Sequence, residues 1–177
     1  MKTLLFTLFI IPMMVFSQNE NYPVPYKTDT LLFYIQRNHN ANTIIYDANY
    51  DSEGNLNAKE PITVYWRRYD EQGQKMDLRT IEKWYAYGVN WEKTNQDSKS
   101  KYKINLVADK SKEFWLKQLD QYSSALLTKI NNKISVLDHI YIFADNSGMW
   151  PIVKYLEFYG FDLITNEKTY EKIMINK

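Results

Sequence analysis

Leu31-Leu32-Phe33-Tyr34-Ile35-Gln36-Arg37 sets Leu31, Phe33 and Ile35 against Leu32, Tyr34 and Gln36. Successive side chains of a strand point to opposite faces, so this period-two run reads as a β-strand with bulky residues on both sides. Asn38-His39-Asn40-Ala41-Asn42 follows. Asn tolerates positive φ and bonds its own backbone, which suits a turn. Thr43 to Tyr50 is β-branched and aromatic again. The pattern predicts a hairpin with a five-residue connection.

Working outward, Asp51 to Pro61 is a polar loop. Ile62, Val64, Trp66 and Arg68 then alternate with Thr63, Tyr65, Arg67 and Tyr69, and Asp70-Glu71-Gln72-Gly73 forms a turn. One helical signal follows. Asp77 can cap, Leu78, Ile81 and Tyr85 share a face, and Gly88 can end the helix. Asn90 to Lys101 is hydrophilic and reads as a surface loop. Further strand patterns cover 102–108, 112–121, 124–130, 134–144, 153–159 and 169–175, joined by turns rich in Asn, Asp and Gly. The sum is an all-β, mainly antiparallel domain of about nine strands with one short helix, a barrel or sandwich. A barrel-like form is favoured because many strands carry bulky residues on both faces.

The ends and the composition bound the function. Met1-Lys2-Thr3, an apolar run from Leu4 to Phe16 and the small Ser17 have the layout of a secretory leader. That run is too short to span a membrane. The expected organisation is a leader over 1–17 cut near Ser17/Gln18, an extended lead-in over 18–29, and one β-rich domain over 30–177. The product would be exported to the periplasm or the medium. No membrane span is expected in the mature chain, and nothing in the sequence sets its oligomeric state. The chain has 177 residues, no Cys and a net charge of +1. It therefore offers no disulfide, thiolate ligand or N-terminal lipidation site. With no basic excess, nucleic acid is not an expected partner. The 15 Tyr, 5 Trp and 8 Phe suit strands, and they also suit surfaces that stack on flat ligands.

Several stretches carry a family likeness. Phe33-Tyr34-Ile35-Gln36-Arg37-Asn38, Ile45-Tyr46-Asp47-Ala48-Asn49 and Pro61-Ile62-Thr63-Val64-Tyr65-Trp66-Arg67-Arg68-Tyr69 do so. So do Ala86-Tyr87-Gly88, Val153 to Gly160 and Tyr170-Glu171-Lys172-Ile173. Together they resemble the domain of unknown function 4833 family over roughly residues 32–173. The resemblance implies one compact exported domain and brings no catalytic residue with it.

Three groups of residues are candidate sites. Arg37, Trp66, Arg68, Glu82, Tyr87, Tyr155 and Glu157 fall at strand ends or on the helix and could form an aromatic pocket with an Arg clamp. The bland alternative is a structural ion pair or an exposed charge. Asn49, Asp51, Glu53, Asn55 and Glu60, with Gly54 at the turn, follow EF-hand spacing and make calcium the one candidate ion. Asn49 and Glu53 depart from that pattern, and a strand precedes it where a helix belongs. No other cofactor is expected. Paired carboxylates for hydrolysis could be Glu82 with Glu157, or Asp47 with Asp51, given a suitable separation. His39 and His139 lack a second His at metal spacing. Ser147-Gly148 lacks a nucleophile elbow, and Trp150-Pro151 reads as a lid or an edge plug. The leading expectation is a binding module for a small or lipid-like ligand. The alternatives are an envelope hydrolase of glycan or ester bonds and a protein-interaction module.

Overall fold

A computed structural model describes residues 22–94, 100–109, 112–148 and 151–175. The proposed leader lies outside these residues. The strands are β1 (Leu31–Arg37), β2 (Asn40–Ala48), β3 (Ile62–Arg68), β4 (Gln74–Asp77), β5 (Val89–Lys93) and β6 (Ser100–Leu106). They continue with β7 (Phe114–Asp120), β8 (Ser123–Ile130), β9 (Lys133–Asp145), β10 (Ile152–Asp162) and β11 (Lys168–Met174). Among the described residues one α-helix, α1 (Thr80–Tyr85), sits between β4 and β5, and a 3-10 turn (Tyr69–Glu71) joins β3 to β4. All eleven strands belong to one curled mixed sheet, a half-barrel.

Strand β9 is its spine. β10 lies along one edge of it from Ser135 to Asp145. The other edge is shared: Lys133–Val136 pairs with β8, and His139–Ile142 pairs with β1. The β1 pairing is parallel, and the other pairings between described strands are antiparallel. From this fork one arm runs β1-β2-β3-β4 and the other β8-β7-β6-β5. The arms curl toward each other and bury Phe33, Ile44 and Tyr46 against Ile104, Phe114, Leu116 and Leu126. Phe33 stacks on Tyr46 at 4.1 Å and faces Phe114 at 6.5 Å. Each such fully buried side chain contributes about 1.5–3 kcal/mol.

The barrel-like all-β expectation holds, and four local expectations do not. The first hairpin turns on two residues, Asn38 and His39, with His39 at φ 58°. Asn38 is instead buried, and its side chain makes two 2.8 Å hydrogen bonds with the backbone of Ala144. It acts as an extra rung between β1 and β9. The hydrophilic stretch from Asn90 holds most of β5 and the start of β6; 95–99 lie outside the described residues. Polar flanks masked the alternation of Val89 and Trp91 with Asn90 and Glu92. Strand β4 is exposed along its length, so it carries no apolar pattern. Asp77 does not cap α1, because it is held in the ladder opposite Tyr65. Leu78 is buried ahead of the helix, whereas Ile81 and Tyr85 are exposed. At six residues the helix is too short to present a buried stripe.

Candidate interior cleft

The fork leaves space where the two arms diverge. A cleft of about 650 Å³ opens there, walled by Ile35, Leu106, Ile140, Ile142, Leu156 and Phe158. These residues come from β1, β6, β9 and β10 and sit at inward positions of the pleat. Tyr87 closes one side, and Asp109, Pro151, Val153 and Lys154 stand at the rim. Trp150 lies outside the described residues. A mostly apolar cleft with a few polar groups at its mouth is the common form of a small-molecule site. Beside it, Lys112 meets Glu171 at 2.5 Å and lies 4.1 Å over the Phe158 ring.

The seven residues expected to form a pocket divide into separate places. Trp66, Glu82 and Tyr87 do meet. Trp66 is 8% exposed and lies edge-on to Tyr87 at 5.3 Å. Its Nε1 donates to Glu82 at 3.4 Å. Burial alone would raise the Glu82 carboxyl, but bonds from the Arg79 side chain and backbone and from Trp66 hold it below the usual range. Of the three, Tyr87 alone reaches the cleft. Arg68 shares the parity of Trp66, but β3 ends there and its guanidinium turns to Asp70 and Glu71. Arg37 donates to Asn146 at 2.9 Å.

Tyr155 and Glu157 project from the opposite, outer face. A row of five aromatic side chains crosses six strands there, through Tyr65, Tyr34, His139, Tyr159 and Tyr170, with Ile45 of β2 between the first two. Tyr34 stacks on His139 at 5.0 Å, and His139 on Tyr159 at 4.3 Å. Glu157 accepts bonds from Tyr159 and Tyr170 at 3.0 and 2.9 Å and pairs with Lys172 at 3.3 Å. Burial and this carboxylate push the Tyr170 hydroxyl up to about 12 and that of Tyr159 higher still. Tyr155 stacks on Phe143 at 4.8 Å, and Lys172 Nζ lies 3.4 Å from the centre of its ring. Glu82 and Glu157 therefore lie on opposite faces of the sheet and do not form a catalytic pair.

The Asn49–Glu60 loop bonds to itself and to the β7–β8 turn. Asp51 Oδ1 accepts from the backbone of Glu53 and of Asn55, both at 2.9 Å. Asn49 Nδ2 donates to the Glu60 carbonyl. Carbonyls of Ser52, Glu53 and Gly54 accept from Tyr122, Gln121 and Gln118. Among the described residues no group of three or more His, Asp or Glu side chains is placed to hold a metal ion.

Sequence reasoning missed the cleft walls because their side chains are ordinary strand aliphatics. A usable signal was there: two long adjacent strands, β9 and β10, with small or branched apolar residues on one parity. A curled half-barrel with an open apolar interior is the class that fold and cleft define. Residues 33–172 match the family described as Domain of unknown function (DUF4833), and the chain belongs to that family. No curated protein and no solved structure matches the chain. No helix among the described residues is long and apolar enough to cross a membrane.

Proposed function

We propose that the protein is an exported binding module that holds a small apolar or lipid-like molecule in the interior cleft. The observation that carries this reading is the cleft itself, about 650 Å³ with aliphatic walls. Filling it removes apolar surface from water, worth roughly 25 cal/mol per Å². Lys154 and Asp109 at the rim suit the polar end of an amphiphile. The leader-like first seventeen residues support delivery outside the cytoplasm, and N-terminal sequencing of the exported protein should begin at Gln18.

The test is native mass spectrometry of protein purified from its own host, followed by titration with an environment-sensitive fatty-acid probe. A retained ligand and saturable probe binding are expected. Val153→Arg, at the rim, should abolish probe binding while the melting temperature stays within a few degrees. A saturable signal that survives Val153→Arg, or no binding to the parent protein, overturns the reading.

A protein-interaction role has its own support in Ile81, Trp84 and Tyr85, which are 63%, 68% and 75% exposed on α1. Trp84→Ala would then leave the probe titration unchanged.

A further inference from the structure

The volume of the interior cleft bounds what it can hold. An apolar cavity of about 150 Å³ accommodates the six carbons of benzene, or about 25 Å³ per carbon. At about 650 Å³ the cleft therefore takes no more than about 26 carbons. The two palmitoyl chains of a diacyl lipid, about 32 carbons, would need about 800 Å³. One such chain needs about 400 Å³ and fits.

The walls give the space a direction. Its residues stand in pairs along the adjacent strands β9 and β10: Ile140 opposite Phe158, then Ile142 opposite Leu156, with Val153 and Lys154 beyond them at the rim. Burial falls in the same order. Ile140 and Phe158 are 2% and 1% exposed, Ile142 and Leu156 are partly buried, and Lys154 is exposed. The cleft is thus a trough that follows the strands from a closed floor to an open mouth. From Ile140 to Ala144, which pairs with Val153, it runs about 13 Å. A staggered alkyl chain advances about 1.25 Å per carbon, so about ten carbons reach from mouth to floor. Longer chains fill the remaining width by bending.

Polar groups are confined to the mouth. The charged lining residues are Asp109 and Lys154, both at the rim, and Lys154 Nζ lies 3.6 Å from Asp145. A headgroup drawn down to the floor would lose its water and meet only aliphatic and aromatic side chains, which is costly. At the rim it keeps its water.

We propose, building on the binding reading above, that the cleft takes one single-chain amphiphile, a free fatty acid or a one-chain phospholipid. The tail enters first and reaches the Ile140–Phe158 floor, and the headgroup stays in water beside Lys154. The tail supplies most of the affinity.

The test uses the full mature chain. Saturated fatty acids from octanoic to stearic, and lysophosphatidylcholines of the same chain lengths, compete with the environment-sensitive probe below their micelle concentrations. Each added carbon should tighten binding about fourfold, the worth of one buried methylene, up to at least about ten carbons. The slope should be the same in both series, and the series with the lower midpoint names the headgroup. Native mass spectrometry after incubation with vesicles of dipalmitoyl phosphatidylcholine, palmitate and palmitoyl lysophosphatidylcholine should show one single-chain adduct per protein and no diacyl adduct. Ile142→Trp puts a ring across the trough about 7 Å short of the floor, so the rise should end about five carbons earlier than in the parent. Leu156→Trp, from the facing wall, should do the same. The parent series and the adduct count decide the matter without either variant. A flat dependence on chain length, retention of the diacyl lipid, or stronger competition by cholesterol than by any single chain overturns the proposal and leaves the cleft a binding site. So does a rise that ends at the same length in the parent and in both folded Trp variants. No competition by any of these molecules overturns the binding reading as well.

Discussion

At the residue scale, burial acts in opposite ways on two side chains. Trp66 belongs to the core: it is 8% exposed and bonded through its indole N–H. Trp66→Ala should therefore cost about 3–5 kcal/mol and leave Glu82 without its buried donor, read as a drop in the urea midpoint. Asp47 behaves oppositely. Its carboxyl is raised in the folded state, so the folded protein binds the proton more readily than the unfolded chain does. Stability from this group is then fully present below the unfolded value, about 4, and falls as pH rises through the raised folded value. Asp47→Asn removes that dependence. The stability difference between variant and parent should shift in the variant's favour from pH 4 to pH 7, as measured by urea unfolding. A difference that is flat with pH would show that Asp47 carries no such strain. The tyrosine alternation on β1 and β3 was legible in the sequence. The buried Asp47 Oδ1, which has no hydrogen-bond partner, was not, because it arises from a contact between β2 and β3.

At the element scale, local pattern gave nine strands and missed the two whose pairing is imposed from outside. β4 is exposed throughout, and β3 opposite holds it in the sheet. β5 hides two inward residues in a hydrophilic stretch. The Asn-rich turn misled for a physical reason: Asn38 serves a strand 106 residues away rather than its own turn. Asn38→Ala would leave the Ala144 N–H and C=O buried and unpaired. It should cost about 2–3 kcal/mol, and Asn38→Asp, which keeps an acceptor and loses the donor, should also destabilise. The acidic loop shows the same logic. Gly54 sits at φ 78°, and a Cβ there would lie 2.8 Å from the Tyr122 ring. Gly54→Ala should undock the loop from the β7–β8 turn, at about 1–3 kcal/mol. If the loop's glycine served calcium instead, the melting temperature would rise with millimolar Ca²⁺ in the parent and not in the variant.

At the scale of the whole molecule, the sequence carried the β class and the barrel-like curl but not the order of strands. Hydrophobic alternation says which face of a strand is buried, and it says nothing about which strand lies beside it. The parallel pairing of β1 with β9 closes a loop of about a hundred residues, and no local signal encodes it. That pairing creates the fork, and the fork creates the cleft, so the site was out of reach for the same reason. The same architecture predicts how stability is distributed. β9 is paired along both edges and touches both arms, while β4, β5 and β11 each have one neighbour. Amide exchange should be slowest in β1, β9 and the inner part of β8 and fastest in β4. Ile140 is 2% exposed and sits where β9 meets β1 and β10. Ile140→Ala should cost about 2–5 kcal/mol and raise exchange in both arms together, because it weakens the strand that joins them. Exchange that rises in one arm alone would mean that the two arms unfold independently and that β9 is not their common support.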